Sequence, residues 1–218
     1  MQIDFHHAVT YVVARLAGFN TRKAGIVAYC SQYVDDATNA GQIKFDTGAM
    51  YQRISSAHKM LDYRNFKELA NHQVWIPFHF LPSNGGMEAG KNPRGTFINK
   101  IVCRPNSPIA QDMVRDCIVD QDRAFALHRL GITMHVFADT WAHQGFAGVN
   151  HKINDTKSIK NFGRPNKAFK DRIVSFFVGE SLPLGHGTVL SYPDRPYLKW
   201  SYIDWKGKSV QRNNPKDF

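Results

Sequence analysis

The stretch Met134–Phe146, MHVFADTWAHQGF, decides how this chain is read. It sets His135, Asp139 and His143 at steps of four residues in an apolar, aromatic setting. On a helix of about 3.6 residues per turn, positions four and seven apart share a face. His128, seven residues before His135, extends the same stripe. Leu127, Leu130, Ile132, Met134, Val136 and Phe137 surround it, so a helix from about Gln121 to Ala142 is expected to be buried on most sides. Ionisable groups in such a place cost several kcal/mol each when left alone, so they must be paired, hydrogen-bonded or bound to metal.

Taken alone, the stripe fits a hydrogen-bonded core network as well as a metal site. Other histidines and acids shift the balance to metal. His6 and His7 stand in DFHHA, Asp35 and Asp36 in YVDDATN, His58 in SSAHKMLD, and His186 and Asp194 in LGHGTVLSYPD. Several fall on segments expected to be helical and to face one another in a bundle, which is how all-α folds build sites of more than one metal. Histidine and carboxylate without cysteine favour zinc, then manganese or iron.

Outward from the stripe, most segments read as helix. Asp4 caps a first helix through about Ala17, with Phe5, Val9, Val12, Val13 and Leu16 as its apolar face. Thr21 caps a second, running towards Asp35 and Asp36, and a third covers roughly 49–62. Ser107 and Pro108 make a strong start signal for another, and Asn166 caps one on which Phe169, Ile173, Phe176 and Phe177 recur. HQVWIPFHFLP and GTFINKIVCRP read as extended, an irregular insertion over about 73–105. NNPKDF reads as a helix start, Asn214 then Pro215, with no helix following. The expected architecture is a single, mainly α domain over 1–218: a helical bundle with a multi-metal site between helices, plus a small hairpin or loop insertion.

The bulk numbers agree with a globular chain. At 218 residues it can bury one good core. Its apolar runs fall well short of the ~20 residues that span a membrane. Asp4 and two histidines stand where a signal peptide would be basic, so a cytoplasmic protein is expected. Cys30, Cys103 and Cys117 show no paired spacing, which argues against a disulfide framework. The net charge of +10 is skewed: residues 151–218 carry 13 basic and six acidic side chains, in a loop-rich part expected to meet an anionic partner.

The order of candidate ligands resembles that of the zinc-dependent phospholipase C and single-strand-specific nuclease superfamily, an all-helical fold with a three-zinc cluster. DFHHAVTYVVARLAGF, HVFADTWAHQGF and LGHGTVLSYPD look like a bacterial family of uncharacterised proteins related to it. The resemblance implies ligands at His6 or His7, Asp35 or Asp36, His58, His135, Asp139, His143, His186 and Asp194, with Asp139 bridging two metals; His128 joins them from the stripe. Phospholipases of this type also use a free N-terminal amine, whereas Met1 is retained here. It implies two or three divalent ions and hydrolysis of a phosphodiester, in nucleic acid or a phospholipid head group. Asp36 would orient the attacking water and His79, in PFHFLP, would serve as an acid or a packed loop histidine. Tyr192, Tyr197, Trp200, Tyr202 and Trp205 would give bases a stacking platform, and residues 73–88 would give a lipid an apolar groove. The competing expectation is a non-catalytic, metal-stabilised helical module that binds an anionic partner.

Overall fold

The computed structural model describes residues 1–58, 68–162 and 185–218. A helix opens at Asp4, and its first turn, Asp4–Val9, is π-helical and runs straight into α1, Thr10–Leu16. The wide turn aligns His6 with Thr10 and Ala14, which form the buried side of the stretch. The expected apolar face is therefore turned outward, with Val9, Val12, Val13 and Leu16 exposed. Small and polar residues face inward because they lie close against α2, Thr21–Asp36, where Thr10 Oγ1 and Ser31 Oγ are 3.5 Å apart. Asn20, not Thr21, caps α2: its side-chain oxygen accepts from the Lys23 backbone N–H at 2.9 Å.

After α2 the chain departs from the helical expectation. β1, Gly41–Lys44, and β2, Met50–Arg53, form an antiparallel hairpin where a third helix was expected. Strands of four residues are too short to show a period, so composition misled. The remainder of that expected helix, from residue 59, lies outside the described residues. HQVWIPF, expected to be extended, is helical instead: α3 spans Glu68–Phe78 and tolerates Pro77 in its last turn. A short α4, Phe97–Ile101, replaces most of the second expected strand, and only Cys103 makes a bridge, to Pro82.

α5, Pro108–Val119, begins as expected, with the Ser107 hydroxyl accepting from the Ala110 N–H at 3.3 Å. α6, Ala126–Ala142, carries the opening motif and packs along α2. The two come so close that a Cβ on Gly131 would lie 2.5 Å from the Val27 carbonyl oxygen and 2.6 Å from Cys30 Cβ. Only glycine fits there, and the close approach brings the site-bearing faces of α2 and α6 together.

The C-terminal part is a sheet where loops were expected. β3, Lys157–Asn161, β4, Lys199–Ile203, and β5, Ser209–Asn213, pair antiparallel in that order. Trp200 and Tyr202 point inward from β4 and join Phe80, Phe146, Val189 and Leu198 in the main apolar cluster. The chain then makes one more turn of helix, α7, Asn214–Asp217, correcting the expectation that NNPKDF starts nothing. Asn214 is fully buried; it accepts from Trp200 Nε1 at 3.0 Å and donates to the carbonyls of Tyr192 and Arg195 at 2.8 Å each. The described residues thus form a mixed α/β fold with two antiparallel sheets, not a mainly α bundle. The helix expected after Asn166 lies outside them. All three cysteines are free thiols, and no described helix is long and apolar enough to cross a membrane.

Candidate metal centre

The site is built on α6. His135 and Asp139 sit one turn apart on the side of α6 that meets α2, both fully buried. His143 caps the C-terminal end of the helix. The Asp35 side chain reaches in from the last turn of α2, His6 from the π-helical turn, and His79 from just beyond α3. His186 and Asp194 come from the turns before β4.

Each of four histidines is held by a backbone carbonyl. His135 Nδ1 lies 2.8 Å from the Ser31 oxygen and His79 Nε2 2.8 Å from the Ser56 oxygen. His143 Nδ1 lies 2.6 Å from the His79 oxygen and His186 Nδ1 2.7 Å from the Leu190 oxygen. A carbonyl only accepts, so the nitrogen facing it carries the proton and donates. In the neutral ring the other nitrogen is then a bare lone pair, and in all four it points at the cluster. Leu190 takes φ of 54° and ψ of −137°, a costly conformation for a side chain branched beyond Cβ, while it presents that carbonyl.

Three groups of donors converge. His135 Nε2 and His79 Nδ1 are 3.3 Å apart, and each lies 3.2–3.3 Å from Asp139 Oδ2. Asp35 Oδ1 stands 3.8 Å from His135 Nε2 and 3.9 Å from His79 Nδ1. His143 Nε2 and His186 Nε2 take the two oxygens of Asp194, at 3.0 and 3.4 Å. His6 Nε2 lies 3.2 Å from Asp139 Oδ1 and 2.8 Å from the Met1 α-amino nitrogen, which is itself 2.8 Å from that carboxylate oxygen. Asp139 therefore divides its two oxygens between two groups. The His6 ring stacks on His135 at 3.7 Å between centroids.

Burial decides the charges. It pushes His6, His135 and His186 down to about 4, so these rings are neutral at pH 7. Burial alone would raise the Asp139 and Asp194 carboxyls. Their ring and ammonium partners win, His143 and then the Met1 ammonium for Asp139, His186 and then the Met1 ammonium for Asp194, and hold both well below the usual carboxylate range. Burial would lower His143, but Asp139 and Asp194 overcome it and raise the ring. Burial dominates at Asp35 and raises it. The Met1 ammonium is pushed up to about 11: burial opposes this, and Asp139, Asp194 and Asp35 prevail.

This arrangement fits cations. The facing nitrogens of His135 and His79 are turned on each other and on one carboxylate oxygen at 3.2–3.3 Å, and the His6 Nδ1 is buried with no hydrogen-bond partner. Among the described residues, three sets have donor atoms within 4.8 Å of one another: His6, Asp35 and His135; His79, His135 and Asp139; and His143, His186 and Asp194. Carbonyl-held histidines with the second nitrogen turned inward are the usual support of metal ligands.

Several expected ligands stand elsewhere. His7 is exposed on the outer side of the helix that buries His6. Asp36 is exposed and accepts from Gln32 Nε2 at 3.3 Å, so it is not placed to orient water in the cluster. His128 is exposed two turns before His135, where the stripe has left the α2 interface. His58 is buried with its ring edge-on to Trp75 at 6.1 Å, outside the three sets, and His79 occupies the place expected for it. With both ring nitrogens engaged, His79 is a donor to the cluster and not a free acid. The Met1 amine and the carbonyls of Ser31, Ser56 and Leu190 carry no signal in the sequence. Trp200 and Tyr202 are core residues, leaving Tyr197 and Trp205 exposed, so the expected stacking platform does not form. Residues 73–88 hold the end of α3 and the turns after it, and Pro77 and Phe78 line an apolar pocket with Met113, Phe125, Ile132 and Val136.

Over residues 1–218 the chain matches the model of a family of unknown function, DUF6765, and it belongs to that family. No curated protein and no solved structure matches it.

Proposed function

We propose that this member of the family is a metal-dependent phosphoric diester hydrolase of the nuclease or phosphodiesterase type. The observation that carries the reading is the set of carbonyl-held histidines whose second nitrogens converge on Asp139 and Asp194. His79, His135, Asp139 and Asp35 would hold one ion, and His143, His186 and Asp194 a second. His6 and the Met1 amine, on the other oxygen of Asp139, offer a third place. Zinc suits the nitrogen and carboxylate donors best.

Bound divalent ions supply a water acidic enough to ionise near neutral pH and positive charge for the phosphoryl oxygens. The chain's own part is to keep the donors deprotonated and fixed. Burial keeps His6, His135 and His186 neutral, and backbone carbonyls hold the rings of His79, His135, His143 and His186 so that little side-chain freedom is lost on binding. His135 and Asp139 are sealed, whereas the side chains of Asp35, Asp194 and His186 are 31%, 18% and 17% exposed. Substrate and water reach the centre over that rim, and a rim of this kind supports catalysis over a closed structural site. The net charge of +10 favours an anionic substrate. The ligand order's resemblance to the zinc-dependent phospholipases and nucleases supports the same chemistry.

The test is elemental analysis of protein purified without chelator, followed by hydrolysis of bis(p-nitrophenyl) phosphate. Two or three equivalents per chain are expected, with turnover lost on chelation and regained with zinc or manganese. A single tightly held ion without turnover would leave a structural site, and no ion with no change in melting on adding metal would sink the proposal.

A further inference from the structure

The helix that carries His6 on its inner side has an outer side that nothing in the metal chemistry uses. Val9, Val12, Val13 and Leu16 follow one another at helical spacing and are 39%, 53%, 45% and 82% exposed. Ile3 extends the apolar surface at the helix start, 64% exposed. A stripe at i, i+3, i+4 and i+7 is the pattern by which one helix seats on another. α2, packed along α1, adds exposed Tyr29 and Tyr33, stacked 5.6 Å apart.

We propose that this outer face is the contact surface of a two-fold dimer of the chain, with the helices of the two copies antiparallel. The charges at its ends select this occupant. Asp4 stands in the first turn and Arg15 in the last, and both are exposed. The Arg15 guanidinium donates to the Phe19 carbonyl at 3.0 Å, which holds it at the helix end. An antiparallel pair lays the start of each helix beside the end of the other. The Asp4 of each copy then meets the Arg15 of its mate, twice by symmetry, and the helix dipoles oppose favourably. A parallel pair would set like charge against like. The apolar surface from Ile3 to Leu16, centred between Asp4 and Arg15, folds over itself across the two-fold axis, with Ile3 of each copy beside Leu16 of its mate.

The inference is independent of the metal reading, and its test keeps the two apart. The full chain is followed by light scattering on a sizing column over a concentration series, with metal content and far-ultraviolet dichroism as checks on the fold. A dimer is expected. Val12→Glu and Val13→Glu, each on the exposed side, should give monomers that keep their metal. Asp4→Lys or Arg15→Glu alone should weaken the dimer about tenfold, as two lost rim pairs would, and the double variant should restore it. A monomer at all concentrations overturns the proposal, as does a dimer indifferent to Val12→Glu. Single charge variants that both leave the dimer intact overturn the antiparallel arrangement. A monomeric chain that sediments with phosphatidylserine vesicles, and loses this with Val12→Glu, would assign the face to a lipid surface instead.

Discussion

The floor of the metal centre and its rim are made of the same residue types under opposite conditions. His6, His135 and Asp139 form the floor, each at 0% exposure, while Asp35, His186 and Asp194 form a rim that water reaches. On the floor every charge must be answered inside the protein, so Asp139 is matched at once by the Met1 ammonium, His6, His79 and His135. On the rim a charge can also be answered by solvent. Floor substitutions should thus cost stability as well as chemistry, and rim substitutions chiefly chemistry.

The harshest trial of that division is Asp139→Ala. Removing the carboxylate takes away the first partner of the buried ammonium, leaving it to Asp194 and Asp35, and unlinks two donor groups, for a loss of about 3–5 kcal/mol. Denaturant unfolding should show it, together with loss of at least one metal equivalent and of turnover. Gly131→Ala probes the floor from beneath. A methyl 2.5 Å from the Val27 carbonyl must push α6 off α2, costing about 1–3 kcal/mol and lowering metal content without touching a ligand. Asp194→Ala sits on the rim. It should remove the ion at His143 and His186 and nearly all turnover, while stability in the metal-free state falls by less than in Asp139→Ala.

Acid should act on floor and rim alike. In the metal-free protein His6, His135 and His186 are neutral with values pushed down to about 4, against 6.5 in the unfolded chain. Between those values the unfolded state binds more protons, so stability should fall as pH drops from 6.5 towards 4. Asp139 and Asp194 are held below their unfolded value of 3.8, and the stability they add is lost only at lower pH. His186→Asn should flatten the upper part of that curve, and His6→Asn should do so at a larger cost in stability. The smallest effect is expected at Asp36→Ala, exposed beside Asp35, which should leave metal content unchanged and stability within about 0.5 kcal/mol. A large loss there would move the boundary between rim and surface.

How far the sequence reaches follows from what is local. The α5 start at Ser107 and Pro108 and the one-turn step from His135 to Asp139 are written in adjacent residues, and both stand in the fold. The choice between His6 and His7 depends on a π-helical turn, and that between Asp35 and Asp36 on which side of α2 meets α6. Neither has a local signature. His79 displaced His58 because α3, mistaken for a strand, delivers it to the Ser56 carbonyl. The mainly α expectation failed at strands of four and five residues, too short to show a period, and β3 also finds its partner β4 far along the sequence.

Asn214 carries a consequence for the order in which the protein is made. Its side-chain amide ties the carbonyls of Tyr192 and Arg195 to the indole of Trp200, and Asp194 lies on the tied turn. On a ribosome the residues of the floor emerge long before residue 214, so a nascent chain can close His6, His79, His135 and Asp139 around one another while the Asp194 turn still lacks its clamp. The candidate metal centre is thus completed only once residue 214 has emerged.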